Sequence, residues 1–306
     1  MRVLVTGGAG FIGSHVVDAY VERGHEVTIL DDLSSGQPEN LNPKADFIVA
    51  DLREADTIDD LRGRGFDLVN HHAAQIDVRV SVADPAADAE MNIIATLRLF
   101  GAMIEDGVRK IVFASSGGAA YGEPQYAPQD EQHPLNPISP YGCAKLAIDQ
   151  YLGFFRSVHG IKAVSLRYAN VYGPRQRKDG EAGVVAIFAG ALLAGQKAWI
   201  NGSGEQTRDY VFVDDVVRAN MAASELDLDG IYNVGTGIET SVNDLYSAIA
   251  KAVGIDARAE HVPAKAGEQM RSVLDGTRLR KAAGLPEPVA LTEGLPRTVA
   301  WLRAPR

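Results

Sequence analysis

The feature that most constrains the fold is a glycine-rich turn between a short apolar strand and an amphipathic helix at the start of the chain. The glycines are Gly7, Gly10 and Gly13, and Phe11 and Ile12 lie where the helix starts. Their spacing differs slightly from the usual dinucleotide fingerprint. It meets the same needs: a tight turn, close backbone approach to a pyrophosphate and close helix–strand packing. The plainer alternative, an ordinary glycine-rich turn, is disfavoured by the strand–turn–helix context.

A second apolar strand, residues 26–30, ends in two acidic residues, Asp31 and Asp32. They lie about twenty residues beyond the glycines, where an acidic side chain binds the adenosine ribose hydroxyls of NAD. The 2′-phosphate of NADP would meet two carboxylates there, and no arginine adjoins them. The pair therefore predicts NAD as cofactor, although Asp32 alone could equally begin a solvated loop.

Strand and helix patterns alternate over the first 170 residues, which predicts a parallel sheet with helices on both faces. Further strands are expected near 46–50, 66–70, 110–116 and 163–168, and long helices near 84–105 and 139–158. Ligands of such sheets bind at the carboxyl ends of the strands. The residues that stand at these ends, and are therefore candidates for cofactor contact, are Asp51, Leu52, His72, Ala73 and Ala74.

The pattern becomes irregular after residue 170, and residues 211–236 then read as a return to the sheet. The predicted fold is α/β: a Rossmann-type doubly wound parallel sheet with a smaller, discontinuous α/β substrate domain. We expect residues 1–170 plus about 211–236 to bind NAD. Residues from about 171–210 plus 237–306 would bind the substrate.

A tyrosine and a lysine sit four residues apart at the start of a predicted helix, where Ser139 can cap and Pro140 suits the first position. Tyr141 and Lys145 would therefore project from one face. A free tyrosine has a pKa of about 10, and a nearby cation lowers it by favouring the phenolate. Ser116 follows the fifth strand and could bond a substrate oxygen while Tyr141 moves the proton. We predict these three as catalytic residues.

Composition excludes several classes of partner. The net charge is −10, which argues against nucleic acid and acidic membrane surfaces. The one cysteine, Cys143, permits no intrachain disulfide, so a reducing cytoplasm is expected. No apolar run reaches about 18 residues, so neither a membrane span nor a signal peptide is expected. No metal site is predicted.

The chain resembles the extended short-chain dehydrogenase/reductase family, and within it the UDP-sugar 4-epimerases, from end to end. The resemblance rests on the glycine turn, the Tyr141–Lys145 pair and two further stretches, 167–175 and 208–210. It implies NAD-dependent interconversion of UDP-glucose and UDP-galactose through a transient 4-keto sugar. It also implies that Lys145 and a positive nicotinamide lower the Tyr141 pKa, and that the two long helices form a homodimer.

The resemblance assigns further residues to the site. It implies that Asn92 supports the active site and that Tyr168 contacts the cofactor. The implied substrate contacts are Asn170 at a phosphate, Val185 at the uridine, Arg208 and Lys265 at the diphosphate, and Ser272 beside the 2-substituent of the sugar.

Departures from related enzymes narrow the reaction. Related 4,6-dehydratases carry an Asp-Glu pair where this chain has Gly117 and Gly118, and decarboxylases keep a glutamate in the same stretch. Their absence favours epimerisation. The small Ser272 favours tolerance of UDP-N-acetylhexosamines. The alternatives are a nucleotide-sugar dehydratase, decarboxylase or reductase and, from another class, a non-catalytic NAD-binding sensor.

Overall fold

The computed structural model describes residues 1–177, 183–256, 258–264 and 269–304. The strands are Arg2–Thr6 (β1), Glu26–Asp31 (β2), Asp46–Val49 (β3), Leu68–His71 (β4), Lys110–Ser116 (β5), Lys162–Tyr168 (β6), Asn170–Tyr172 (β7), Trp199–Asn201 (β8), Thr207–Arg208 (β9), Tyr210–Phe212 (β10), Gly230–Val234 (β11), Thr240–Ser241 (β12) and Glu260–Val262 (β13). The α-helices are Phe11–Glu22 (α1), Ala55–Leu61 (α2), Val78–Ala83 (α3), Pro85–Ala89 (α4), Thr96–Glu105 (α5), Gly117–Tyr121 (α6), Pro140–His159 (α7), Val184–Leu193 (α8), Val213–Glu225 (α9), Val242–Val253 (α10), Thr277–Ala283 (α11) and Leu291–Arg303 (α12).

Seven strands form the central sheet in the order β11-β6-β5-β4-β1-β2-β3, and all neighbours are parallel. The order reverses at β1, which lies between β2 and β4. A crevice opens at such a point because the following connections pass to opposite faces of the sheet. The predicted Rossmann-type doubly wound sheet is confirmed, and β11 completes it.

Each face of the sheet has its own apolar core. On one face α1 and α9 pack against the sheet, with Val16 and Ala223 among the fully buried residues. On the other face α5 and α7 cover it, and Phe100 and Ile148 are fully buried. Burial on both faces is typical of parallel strands and explains why they read as nearly continuous apolar runs.

A second unit contains α8, α10 and α12 around a third apolar core. The unit also carries two-stranded sheets, in which β13 pairs with β8 and β12 with β9. Residues 210–212 were predicted to rejoin the central sheet, and this prediction is wrong. They form β10, which pairs with β7 instead. Successive side chains of a strand point to opposite sides. Val211 therefore packs into the core that α1 and α9 form on the central sheet, while Tyr210 and Phe212 pack into the third core.

The long helix predicted near 84–105 contains a break in helical type. It runs as α4, then a π-helical segment over Glu90–Ala95, then α5.

The helix predicted over 139–158 is α7, which Ser139 caps through its hydroxyl, 3.1 Å from the Gly142 nitrogen. A 3-10 turn covers Pro38–Asn40. Within the described ranges, no helix is both long and apolar enough to cross a bilayer.

Candidate active site

The glycine turn is tight because backbone passes where side chains would stand. Gly7 has φ +68°, and a Cβ there would lie 2.6 Å from the Ala73 nitrogen. A Cβ on Gly13 would overlap the carbonyl oxygen of Gly7. No side chain caps α1 at Gly10, so the first amides of the helix are left for a ligand.

The acidic pair after β2 braces this turn. Asp31 is buried, and its oxygens accept hydrogen bonds from the Ala9 nitrogen at 3.0 Å and the Leu33 nitrogen at 2.9 Å. Burial raises the pKa of Asp31, and the two backbone bonds lower it. Asp32 accepts from Ser34 at 2.6 Å and is exposed. The two carboxylates thus differ, one built into the turn and one open to solvent.

The turn, the strand ends and α7 enclose one cleft, whose two adjoining parts have volumes of about 210 and 840 Å³. The larger part is lined by Ser116 and Asn170 as well as Tyr141. The predicted cofactor residues that line the smaller part are Gly7, Gly10, Phe11, Ile12, Gly13, Asp31, Asp32, Leu52, His72, Ala73, Ala74, Tyr141, Lys145 and Tyr168.

Two predicted cofactor residues, Asp51 and Asn92, do not line this cleft. The Asp51 carboxylate is held by the Arg53 guanidinium, whose Nε lies 3.0 Å from it. The Asn92 amide clamps the loop after β4: its Oδ1 accepts from the Gln75 nitrogen and its Nδ2 donates to the Gln75 oxygen, both at 2.9 Å. Asn92 therefore supports the wall of the cleft rather than facing a ligand.

Tyr141 and Ser116 meet in the larger part of the cleft. Ser116 ends β5 and caps α6, and its Oγ accepts weakly from the Ala119 nitrogen at 3.4 Å. Burial raises the pKa of Tyr141 to about 12, a hydrogen bond with Ser116 lowers it, and the charge of Asp88 raises it. The predicted lowering of the Tyr141 pKa requires Lys145 together with a positive nicotinamide, and among the protein's own groups desolvation of the phenolate dominates.

Lys145 is buried one helical turn after Tyr141. Its Nζ donates to the Ala114 oxygen at 3.0 Å and lies 5.7 Å from the centre of the Tyr141 ring. Burial lowers the pKa of Lys145 to about 8, while the charges of Asp149 and Asp88 raise it. The lysine thus titrates much nearer to neutral pH than an exposed one.

Neutral aromatic groups form the wall between β4 and β6. The ring of His72 stacks on Tyr168, with centroids 6.4 Å apart. Burial lowers the pKa of His72 to about 3, so it is neutral at physiological pH. The Tyr168 hydroxyl accepts from Asn220 Nδ2 at 2.8 Å, which fixes the ring against the cleft.

The predicted sugar-side residues fall into three groups. Arg208 and Ser272 lie on adjacent segments, since the Asp209 nitrogen donates to the Ser272 oxygen at 2.9 Å. Two guanidinium nitrogens of Arg208 donate to the oxygens of Thr207 and Gln269, each at 2.8 Å. Val185 is buried in the third core and lines neither part of the cleft, so its contact with the uridine stays a prediction. Lys265 lies outside the described residues.

The two glycines after Ser116 lie under residues of the second unit. A Cβ on Gly117 would overlap a methyl group of Leu274, and one on Gly118 would lie 3.3 Å from Ser272 Oγ. Leu274 thus fills the place where a side chain at position 117 would stand. A side chain at position 117 would require the Leu274 side chain to shift, and one at position 118 would press on the Ser272 hydroxyl.

Two buried carboxylates near Lys145 were missed by the sequence reasoning. Asp149, four residues after Lys145, pairs with Arg167 at 2.8 Å, and Arg167 also donates to the Tyr121 hydroxyl at 2.9 Å. The spacing from Lys145 to Asp149 was a readable signal for a shared helix face. Asp88 gave no such signal, because it reaches the site from a separate helix.

A model of the NAD dependent epimerase/dehydratase family matches residues 3–235 of the chain. The chain belongs to this family.

Similarity to individual members of the family extends over the whole chain. The UDP-glucose 4-epimerase of Mycolicibacterium smegmatis is 48% identical over 309 residues, 99% of each chain. The crystal structure of UDP-glucose 4-epimerase with UDP-glucose from Thermotoga maritima has a TM-score of 0.96 and 46% identity, and 99% of each chain is covered. A UDP-N-acetylglucosamine 4-epimerase from Methanobrevibacter ruminantium, in complex with UDP-N-acetylmuramic acid, has a TM-score of 0.92 and 38% identity, with 98% of this chain and 97% of that one covered.

The predicted family and the predicted NAD dependence are confirmed. The cleft also fits the dinucleotide that the family uses. The glycine turn leaves room that any Cβ would fill, and the uncapped start of α1 offers amides to a diphosphate. Asp31, Asp32, Tyr141 and Lys145 all line the same part of this cleft.

Proposed function

We propose that this epimerase/dehydratase family member is a UDP-glucose 4-epimerase that interconverts UDP-glucose and UDP-galactose. One observation carries the proposal: Ser116, Tyr141 and Lys145 converge on the NAD cleft, and two glycines, the first packed under Leu274, follow Ser116. The cleft thus provides a proton-transfer group, and the two positions after Ser116 carry no acidic side chain. Full-length similarity to UDP-glucose 4-epimerases supports the same conclusion.

Tyr141 is the group that moves the proton. Its phenolic oxygen takes the proton of the sugar 4-hydroxyl and later returns one to the 4-keto oxygen. The glycine turn, Tyr141 and Lys145 would hold NAD, which would supply reversible hydride transfer at C4 of the sugar with no net oxidation. Ser116 donates a hydrogen bond to the same sugar oxygen and holds it within reach of Tyr141.

Lys145 provides positive charge beside the tyrosine. Because burial favours the neutral phenol, a phenolate at Tyr141 forms only next to a cation. The ammonium of Lys145 supplies that charge from the next turn of α7. Arg208 anchors the diphosphate from the sugar side, so the 4-keto sugar can turn its other face to the nicotinamide without leaving.

The test is incubation of the holoenzyme with UDP-glucose, followed by chromatographic separation and mass spectrometry of the nucleotide sugars. An epimerase yields UDP-galactose of unchanged mass. A dehydratase product lacks water and a decarboxylase product, from a uronic acid substrate, lacks carbon dioxide. A reductase consumes NADH. A non-catalytic sensor leaves the substrate unchanged, and any of these results would overturn the proposal.

N-acetylated UDP-sugars are a second candidate substrate class. The observation that favours them is the small Ser272, whose Oγ lies 3.3 Å from where a Cβ on Gly118 would stand, two residues after Ser116. The similarity to a UDP-N-acetylglucosamine 4-epimerase supports the idea. Parallel incubations with UDP-glucose and UDP-N-acetylglucosamine decide it, and conversion of UDP-glucose alone would exclude the second class.

The assembly proposed for the enzyme is a cytoplasmic homodimer. Exposed apolar side chains on α7, namely Tyr151, Phe154 and Val158, form a stripe of the kind that marks protein interfaces. Sedimentation equilibrium tests this arrangement, and a monomer at micromolar concentration would contradict it. The proposed NAD domain remains 1–170 plus about 211–236, with the substrate domain in about 171–210 plus 237–306.

A further inference from the structure

A buried carboxylate without a role in the mechanism above lies at the edge of the cleft. Asp88 belongs to α4, which packs against α7, and it lines the larger part of the cleft with Ser116 and Tyr141. Only 2% of the residue is exposed. Its Oδ2 is buried with no hydrogen-bond partner among the described residues. A carboxylate in this situation is costly unless a positive charge lies nearby.

Two amides fix the orientation of this carboxylate. Asp88 Oδ1 accepts from Gln75 Nε2 and from Asn92 Nδ2, both at 2.9 Å. Gln75 and Asn92 are themselves joined through the Gln75 backbone. The π-helical segment that carries Asn92 begins two residues after Asp88, and such segments occur mostly at functional sites. The carboxylate is therefore held in place by a rigid frame.

Two carboxylates, Asp149 and Asp88, act on the charge of Lys145, and they differ in their ion pairs. Asp149, on the same helix, is already bound to Arg167. At the end of β4 and just after it, His71 and His72 are neutral because burial lowers both pKa values.

Charged groups on the neighbouring segments are occupied elsewhere. The ion pairs that lie closer to solvent are Arg79 with Asp77 and Arg98 with Glu90. Burial lowers the pKa of Lys145, and the charge of Asp149 and then that of Asp88 raise it. Burial raises the pKa of Asp88, whereas its hydrogen bonds from Gln75 and Asn92 and the charge of Lys145 lower it.

We propose that Asp88 is a positioning residue that acts as counter-charge to Lys145 and keeps this buried lysine protonated beside Tyr141. The inference rests on the proposed function, because it assigns Lys145 a required positive charge. The charge of Asp88 shifts the pKa values of the two catalytic groups in the same direction. A negative charge at Asp88 raises the pKa of both Lys145 and Tyr141. Removing it should lower both.

The test is Asp88→Asn, which removes the charge while an amide oxygen can still accept from Gln75 and Asn92. We expect the whole pH profile of kcat/KM for UDP-glucose to move to lower pH by about one unit. Activity above pH 8 then falls about tenfold, and activity near pH 6.5 stays within about twofold. Glu90→Gln, the same charge change at a half-buried position on the adjoining segment that pairs with Arg98, should leave the profile in place.

A second measurement does not depend on turnover. In the NAD-loaded protein labelled with ¹³C at lysine Cε, the Lys145 resonance, assigned by its loss in Lys145→Met, should titrate at lower pH in Asp88→Asn than in wild type. If Asp88→Asn folds poorly, Asp88→Ser must shift it in the same direction. A profile that only loses height, or an unmoved resonance, would overturn the proposal. A shifted resonance in a protein without epimerase activity would instead count against the proposed function alone.

Discussion

The cofactor side and the sugar side of the cleft are built in different ways. On the cofactor side, contiguous backbone makes the site: the Gly7 nitrogen donates to the Leu30 oxygen at 2.8 Å, and Asp31 binds the turn from below. On the sugar side, residues from distant segments meet through strands of two or three residues. The comparison teaches that the cofactor side rests on contiguous, closely packed backbone, whereas the sugar side depends on contacts between segments that are distant in the chain.

The largest effect is expected from a substitution that stops proton transfer and leaves the cofactor side of the cleft intact. Tyr141→Phe removes the proton-transfer group, so kcat should fall about a thousandfold. The NAD content of the purified protein should stay the same, because the glycine turn is untouched. Tyr151→Phe, on the exposed face of the same helix, is the matched control and should keep full activity. Retention of turnover in Tyr141→Phe would remove Tyr141 from the mechanism.

The next effect tests the rigidity of the cofactor side. A Cβ at Gly13 overlaps the Gly7 carbonyl oxygen, and such overpacking costs about 1–3 kcal/mol. We expect Gly13→Ala to weaken NAD binding by about ten- to a hundredfold, measured by calorimetric titration of protein stripped of cofactor. Gly101→Ala, where a Cβ meets nothing within 4 Å, should bind NAD normally. Equal affinities in the two variants would contradict a rigid cradle.

A smaller effect is expected from the diphosphate contact on the sugar side. Arg208→Gln removes the positive charge proposed to anchor the substrate, which is worth about 1.5–3 kcal/mol. KM for UDP-glucose should rise about tenfold or more while NAD affinity stays constant. Arg218→Gln, on α9 and paired with Asp215, is the control. A parallel loss of NAD affinity in Arg208→Gln would mean that the two sides are not independent.

The smallest effect sharpens substrate choice. Ser272→Tyr places a bulky side chain beside Gly118, so activity on UDP-N-acetylglucosamine should fall about fivefold more than activity on UDP-glucose. The ratio of the two kcat/KM values is the measurement, because a general loss of stability cancels in it. Ser272→Ala should keep the ratio of the wild type. An unchanged ratio in both variants would place the sugar's 2-substituent away from residue 272.

The cofactor side could be predicted from the sequence more fully than the sugar side. The glycine turn, Asp31 and the Tyr141–Lys145 pair are local patterns whose geometry follows from one strand, one turn or one helix. The outward face of α8, and with it the orientation of Val185, depends on packing against the third core. Asp88 approaches Lys145 from another helix, so no spacing along the chain announces it.

The pKa of Tyr141 shows a different limit. The sequence places a cation one turn away, which predicts a lowered pKa. The sign in the folded protein depends on how far the ring is desolvated, and burial raises the pKa to about 12. Tertiary burial is a property of the assembled cleft and cannot be counted along the helix. A similar limit applies to Gly117, whose missing side chain is explained only by Leu274, far along the chain.

Strand β10 places a limit on how the enzyme can move. Val211 belongs to the core under the central sheet, while Tyr210 and Phe212 on either side belong to the core of the second unit. A strand anchored in both cores cannot act as a hinge, because bending it would pull apart packed side chains on one side or the other. Rigid-body closure of the two units around a sugar nucleotide is therefore not available through this connection.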